Sequence, residues 1–400
     1  MKIYTTKIET SSTRAIVVDD MILTKDMPTS AGSKMLEGYK SLFDAEVITR
    51  LKNCGFKIGG KADVGEFAID LVGETSYNGA IEVDGKLTNA CAEVVKSGEA
   101  LAGVCLDVNG SIRRATAQSN LISVKPTYGT VSRYGTIPVA CSGETVSIMA
   151  KTVDNCREVL NAIVGHDDKD GTSLSESDCN KLKESSIAPK ISKVAILKSM
   201  LQGTDKDVKE KFDGFTNVLT KKNIEVCEID DSIICASRVA WNILMSAELC
   251  NNVSRYDGVK YGYRAKNFTN IDELYTNSRT EAFGDLLKTA ILFGSDTLST
   301  DNYMKVYDKA LRTRRVIVES FAKIFKEYDA IIMPACSTLT YTKELVEKNK
   351  YIAFEENFYT APSSISGLPT VVVGGVQLVG NSFSENTLFE LAKMYEKEGK

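Results

Sequence analysis

The 400-residue chain is 43% hydrophobic and 26% charged, with a formal net charge of -4 from 49 basic and 53 acidic residues. That is ordinary globular composition and excludes a generally basic surface of the kind that binds nucleic acid. The length suits two or three domains, or one large α/β domain.

The N-terminus, MKIYTTKIETSSTRAIVV, has no long apolar run after its first lysine. No stretch reaches about 18 consecutive apolar residues, so neither a secretory leader nor a membrane span is expected. Ten cysteines are scattered without a CxxC pair. They read as reduced thiols of a cytoplasmic protein. His166 is the only histidine, which excludes a zinc site built on several histidines. A Ser-His-Asp triad would have to use it, and its polar setting, GHDDKDGTS, reads as a loop.

In chain order, residues 33–54 place Leu36, Tyr39, Leu42, Phe43, Val47 and Leu51 at helical spacing, with Gly55 as C-cap. A short strand is expected at 57–60, a helix at 88–98 and a buried strand at 100–107. Thr152 opens an amphipathic helix over 152–164. The polar stretch 166–191 reads as a surface excursion. Residues 192–197, 206–222 and 223–229 read as a β-α-β unit of an α/β protein. A long helix over 303–326, a buried strand over 330–333 and a last helix over 384–397 complete the pattern.

Two blocks carry a resemblance. Residues 109–135, NGSIRRATAQSNLISVKPTYGTVSRYG, are similar to the amidase signature, in which a GGSIR-type turn presents a serine nucleophile. Residues 255–284, RYDGVKYGYRAKNFTNIDELYTNSRTEAFG, resemble the A subunit of the aspartyl/glutamyl-tRNA(Asn/Gln) amidotransferase more than amidases at large. Weaker matches at 24–39, 58–68, 328–338 and 366–383 extend the likeness over nearly the whole chain. The resemblance implies an α/β fold with a central mixed, twisted β-sheet covered by helices on both faces. It implies one domain over 1–400, without the family's N-terminal helical segment. The segment after Pro369 is shorter than in the family and is expected to cost the sheet part of one edge hairpin. Also implied are amide C–N hydrolysis through a serine, no cofactor, no metal and no membrane, and B-like and C-like amidotransferase subunits as partners, with tRNA reached only through them.

The site positions implied by the resemblance are mostly altered. Ser111 stands at the nucleophile position, with the backbone of Val108, Asn109, Gly110 and Ser111 as oxyanion hole. Asn109 replaces a glycine, as the side chain best able to accept a positive φ. Asp19, in VDDM, stands where the family has its catalytic lysine, and Leu87 where it has the cis-serine. Thr88 would restore a hydroxyl if the register slipped by one. Ala290 and Asn357 stand where the family places the arginine and the acidic residue that hold glutamine. A serine is a weak nucleophile until its proton is removed, and a carboxylate with an ordinary pKa near ~3.9 is a feeble base. Arg113 reads as an ion-pair partner of the core. The expectation is a catalytically impaired paralogue, a scaffold or regulator; the alternative is an active A subunit or amidase with a rebuilt site.

Overall fold

The computed structural model describes residues 2–184 and 190–398. Strands alternate with helices from the start, and apolar runs become sheet interior. The strands are β1 (Tyr4–Lys7), β2 (Ala15–Asp19), β3 (Lys57–Ala62), β4 (Glu82–Val83), β5 (Lys86–Leu87), β6 (Ala102–Asp107) and β7 (Ile122–Lys125), then β8 (Thr145–Ala150), β9 (Lys193–Leu197), β10 (Glu225–Ile229), β11 (Ala330–Pro334), β12 (Thr370–Val373) and β13 (Val376–Val379). All but β4 and β5 form one 11-stranded sheet in the order β1-β3-β2-β6-β8-β7-β12-β13-β11-β9-β10. It is mixed: β2 runs parallel to β3 and β6, while β8 is antiparallel to β6 and β7. Helices flank it, as expected of this α/β architecture.

Local chemistry explains several elements. Thr152 caps the helix Val153–Ile163 by accepting from the amide of Asn155, which relieves an orphan donor of the first turn. The helix Lys206–Lys221 buries Val208, Phe212, Phe215, Val218 and Leu219 at helical spacing and connects parallel strands β9 and β10. Two neighbouring parallel strands demand such a crossover. Ser232–Val253 is apolar enough by composition to cross a membrane, and half of its most apolar window is buried against the rest of the protein. Trp241, Leu244, Met245 and Leu249 are among its core side chains.

Two expectations are corrected. The 33–54 stretch is not one helix. A short 3-10 turn covers Lys34–Leu36, Gly38 turns the chain at φ +77°, and only Glu46–Asn53 is α-helical. Leu42, counted toward an apolar face, is 88% exposed. A left-handed glycine at 38 interrupts the helix that side-chain spacing alone suggests. The segment after Pro369 does not lie at a sheet edge either. β12 and β13 form a hairpin turning at Gly374-Gly375, placed inside the sheet between β7 and β11. Of the polar stretch 166–191, Glu176–Glu184 is helical, and 185–189 fall outside the described residues.

Candidate active site

β6 ends at Asp107, and the chain turns through Val108, Asn109 and Gly110 into the helix Ser111–Ser119. The positive φ is at Gly110 (+87°), not at Asn109 as the sequence suggested. Gly110 meets a second constraint. A Cβ there would lie 2.3 Å from that of Thr360, so no other residue fits. Ser111 is the first residue of its helix and is buried. The amide of Ser111 thus opens a helix N-terminus, where backbone donors lack intrahelical acceptors and the dipole is positive. That arrangement can stabilise a developing oxyanion.

Two buried arginines fix the turn. Arg113 makes a two-point pair with Asp107 (2.9 and 3.0 Å) and donates to the Thr360 carbonyl, Ser363, Ser364 and Gln377. Its role is structural, as the sequence indicated. Arg114 donates to the carbonyls of Leu71, Asp70 and Asn109. The Asn109 side chain donates to the Asp70 carbonyl at 3.0 Å, and Thr360 donates to the Asn109 carbonyl at 3.0 Å. Segments near 70, 110 and 360 are therefore locked together.

Asp19 lies at the end of β2, beside β6. Its carboxylate accepts from the amides of Leu106 (2.7 Å) and Met21 (3.1 Å). Burial pushes its pKa up to about 7, although those amides and Lys61 oppose the shift. Lys61, itself buried, is paired with Asp20 at 2.9 Å and donates to Thr29. Asp70 is more exceptional. It is fully buried, and neither carboxylate oxygen has a partner in hydrogen-bond geometry. The Ser111 hydroxyl acts on it as a donor from outside that geometry, and burial together with the nearby charge of Glu74 pushes its pKa up to about 7 despite Arg114.

Leu87 is buried, with its amide on the Tyr341 carbonyl and its own carbonyl accepting from Gln118 at 2.5 Å. Gln118 lies about two turns along the helix from Ser111, so the contact made by the Leu87 backbone is to the far end of that helix. The Thr88 hydroxyl is engaged with Glu93 at 2.7 Å. Ala290, on the helix Asp285–Thr297, and Asn242 line one cavity. Asn357 is buried, with one end of its side-chain amide 2.7 Å from Asn242 and the other 2.7 Å from the Asn109 carbonyl, so that its NH2 group donates to one or the other. Positions 290 and 357 are thus joined through Asn242, and 357 touches the Ser111 turn. His166 remains in its own loop, bonded to the Leu174 carbonyl and Asp168.

The amidase family model matches residues 15–389. This chain belongs to the amidase-signature family. It is 33% identical over 398 residues to the A subunit of glutamyl-tRNA(Gln) amidotransferase from Streptococcus pneumoniae, across 95% of this chain and 82% of that relative. The protein of the same name from Listeria innocua is 33% identical over 401 residues, across 96% and 83%. Among solved structures, the glutamyl-tRNA(Gln) amidotransferase A subunit of Thermotoga maritima superposes with a TM-score of 0.80 at 24% identity, over 99% of this chain and 87% of that one. An allophanate hydrolase of Kluyveromyces lactis gives 0.77 at 21% identity, over 95% and 61%. The amidase-signature fold is therefore common to this chain and to these enzymes.

Sequence reasoning passed over Asp70, Arg114, Asn242 and Thr360. One signal was present for Asp70: a carboxylate between Ile69 and Leu71, in an otherwise apolar run. Nothing local marks Thr360 or Asn242, whose importance comes only from what they touch.

Proposed function

We propose that this amidase-signature protein is a catalytically impaired paralogue of the glutamine-hydrolysing subunit of tRNA-dependent amidotransferase, with a role as scaffold or regulator. What carries the reading is the loss of the amine and the hydroxyl that would serve Ser111: Asp19 and Leu87 stand at the lysine and cis-serine positions. The titratable side chains of Asp70 and Asp19 at this end of the sheet are carboxyls, and the buried amine of Lys61 is committed to Asp20 and Thr29. Asp19 already serves two backbone amides, so it is not poised to relay a proton. Losing members of a catalytic unit costs on the order of 10³–10⁶ in rate.

The glutamine positions point the same way. Recognition of a free amino acid by a charged pair needs charge at both partners, and Ala290 and Asn357 supply none. The scaffold motifs remain, which suits continued assembly with B-like and C-like subunits in the cytoplasm, with tRNA bound through them. The test is glutamate release from glutamine, and glutamine-dependent transamidation, by the purified chain with and without candidate partner proteins. Negligible activity is expected in both. Turnover that disappears in Ser111→Ala would refute the proposal.

A further inference from the structure

The helices Ser237–Val253 and Asp285–Thr297 and the short helix Ile352–Glu355 surround an open cavity of about 450 Å³. That volume falls within the range of small-molecule sites. Its wall is apolar, with Ile243, Ala290, Phe293 and Phe354, and Asn242 contributes an amide. Two formal charges also line it, Arg238 and Glu355. Neither is neutralised by the protein. Among the described residues Arg238 has no acidic partner, and its guanidinium lies 5.9 Å from the centre of the Phe358 ring. The Glu355 carboxylate accepts from Asn349 at 2.8 Å and has no basic partner among the described residues.

Both charges flank Asn242. Arg238 precedes it by one helical turn, which puts the two side chains on one helix face. Asn242 donates to the carbonyl of Phe354, the residue before Glu355, at 3.1 Å. An unpaired cation and an unpaired anion at the rim of an apolar hollow complement a zwitterion, through charge-assisted hydrogen bonds that orient it.

We propose that this cavity binds a free α-amino acid with an apolar or aromatic side chain. Its carboxylate meets Arg238, its ammonium meets Glu355, and its side chain lies against Ala290 and Phe293. Glutamine should bind less tightly, because Ile243, Ala290, Phe293 and Phe354 dominate the wall against which its side-chain amide would lie, with only Asn242, Ser246, Thr289 and Tyr351 as polar neighbours. Asn357 lies between Asn242, on the cavity wall, and the Asn109 carbonyl, 2.7 Å from each, which places the cavity next to the Ser111 turn. The inference concerns binding and holds whether or not Ser111 turns over.

The test is calorimetric or ligand-observed NMR titration of the full chain with four probes: L-phenylalanine, L-phenylalaninamide, 3-phenylpropanoate and L-glutamine. L-phenylalanine should bind at least fivefold tighter than each of the others. Arg238→Gln should weaken L-phenylalanine at least fivefold and leave L-phenylalaninamide unchanged. Glu355→Gln should weaken L-phenylalanine and L-phenylalaninamide, which both carry the ammonium, at least fivefold and leave 3-phenylpropanoate unchanged. Both side chains are exposed, so the variants should fold. Phe293→Ala should weaken L-phenylalanine, L-phenylalaninamide and 3-phenylpropanoate alike. Absence of binding, equal affinity for L-phenylalanine and 3-phenylpropanoate, or indifference of L-phenylalanine to Arg238→Gln would overturn the proposal. So would glutamine binding as tightly as phenylalanine. Release of glutamate bears instead on the impaired-enzyme reading, so the two can fail separately.

Discussion

Asp70→Asn tests the electrostatic description of the Ser111 turn. The amide has nearly the shape of the carboxyl and carries no charge, so packing against Gly65 is kept. The folded protein holds the Asp70 pKa at about 7, against an ordinary value of 3.8. In the unfolded chain the proton leaves near pH 4, whereas in the folded chain it leaves only near pH 7. Between these values the folded state binds the extra proton, so the Asp70 contribution to stability falls as pH rises and is fully lost above about 7. A difference of about 3 pH units at ~1.4 kcal/mol each gives about 4 kcal/mol as an upper figure. Asp19 titrates in the same window in both proteins, so it largely cancels in the comparison. Urea unfolding of parent and variant at pH 4.5, 6, 7 and 8 measures the effect. Asp70→Asn should be close to the parent at pH 4.5 and more stable by several kcal/mol, on the order of the figure above, at pH 8. A stability difference that does not change with pH, or a parent that is the more stable at pH 8, would show that Asp70 is not an uncompensated buried acid.

Three further outcomes follow from the same geometry. Asp19→Lys combined with Leu87→Ser should not restore glutamine hydrolysis, because it strips two backbone amides of their acceptor, buries a second amine near Lys61 and leaves positions 290 and 357 uncharged; glutamate release well above the parent would contradict this. Gly110→Ala should destabilise the protein by roughly 3 kcal/mol or more, from the positive φ and the contact with Thr360, and a melting temperature equal to the parent's would count against the described turn. Arg113→Met should cost about 3–5 kcal/mol by leaving Asp107 buried without its partner; denaturant titration at neutral pH reads it, and a loss below about 1 kcal/mol would mean the pair behaves like a surface one.

Much of the fold was legible in the sequence because its signals are local. The 206–222 periodicity, the Thr152 cap and the apolar run at 100–107 each reappear within a residue or two. The 33–54 stretch misled because spacing does not say whether Tyr39, Leu42 and Phe43 are covered, and they are exposed. The place of 370–379 was unreadable for another reason: strand order is a non-local property, and a C-terminal hairpin inside the sheet leaves no mark on its own residues. At the site, motif order located the Ser111 turn. The side chains that surround it come from residues near 70, 242 and 360, and no spacing rule joins those to 111.

The interior position of β12 and β13 also dictates when this protein can become whole. Until residue 379 is available, β7 and β11 each face an unfilled slot. A growing chain on the ribosome therefore presents two hydrogen-bonding edges from its own sheet centre, the arrangement most open to mispairing. The Arg113 bonds to Thr360, Ser363, Ser364 and Gln377 span 247 to 264 residues. Closing such a span from a flexible chain costs about 5 kcal/mol in entropy. The buried arginine is consequently among the last groups to be fully satisfied, and premature termination just before the hairpin leaves the preceding strands with an unfinished centre rather than a smaller stable body.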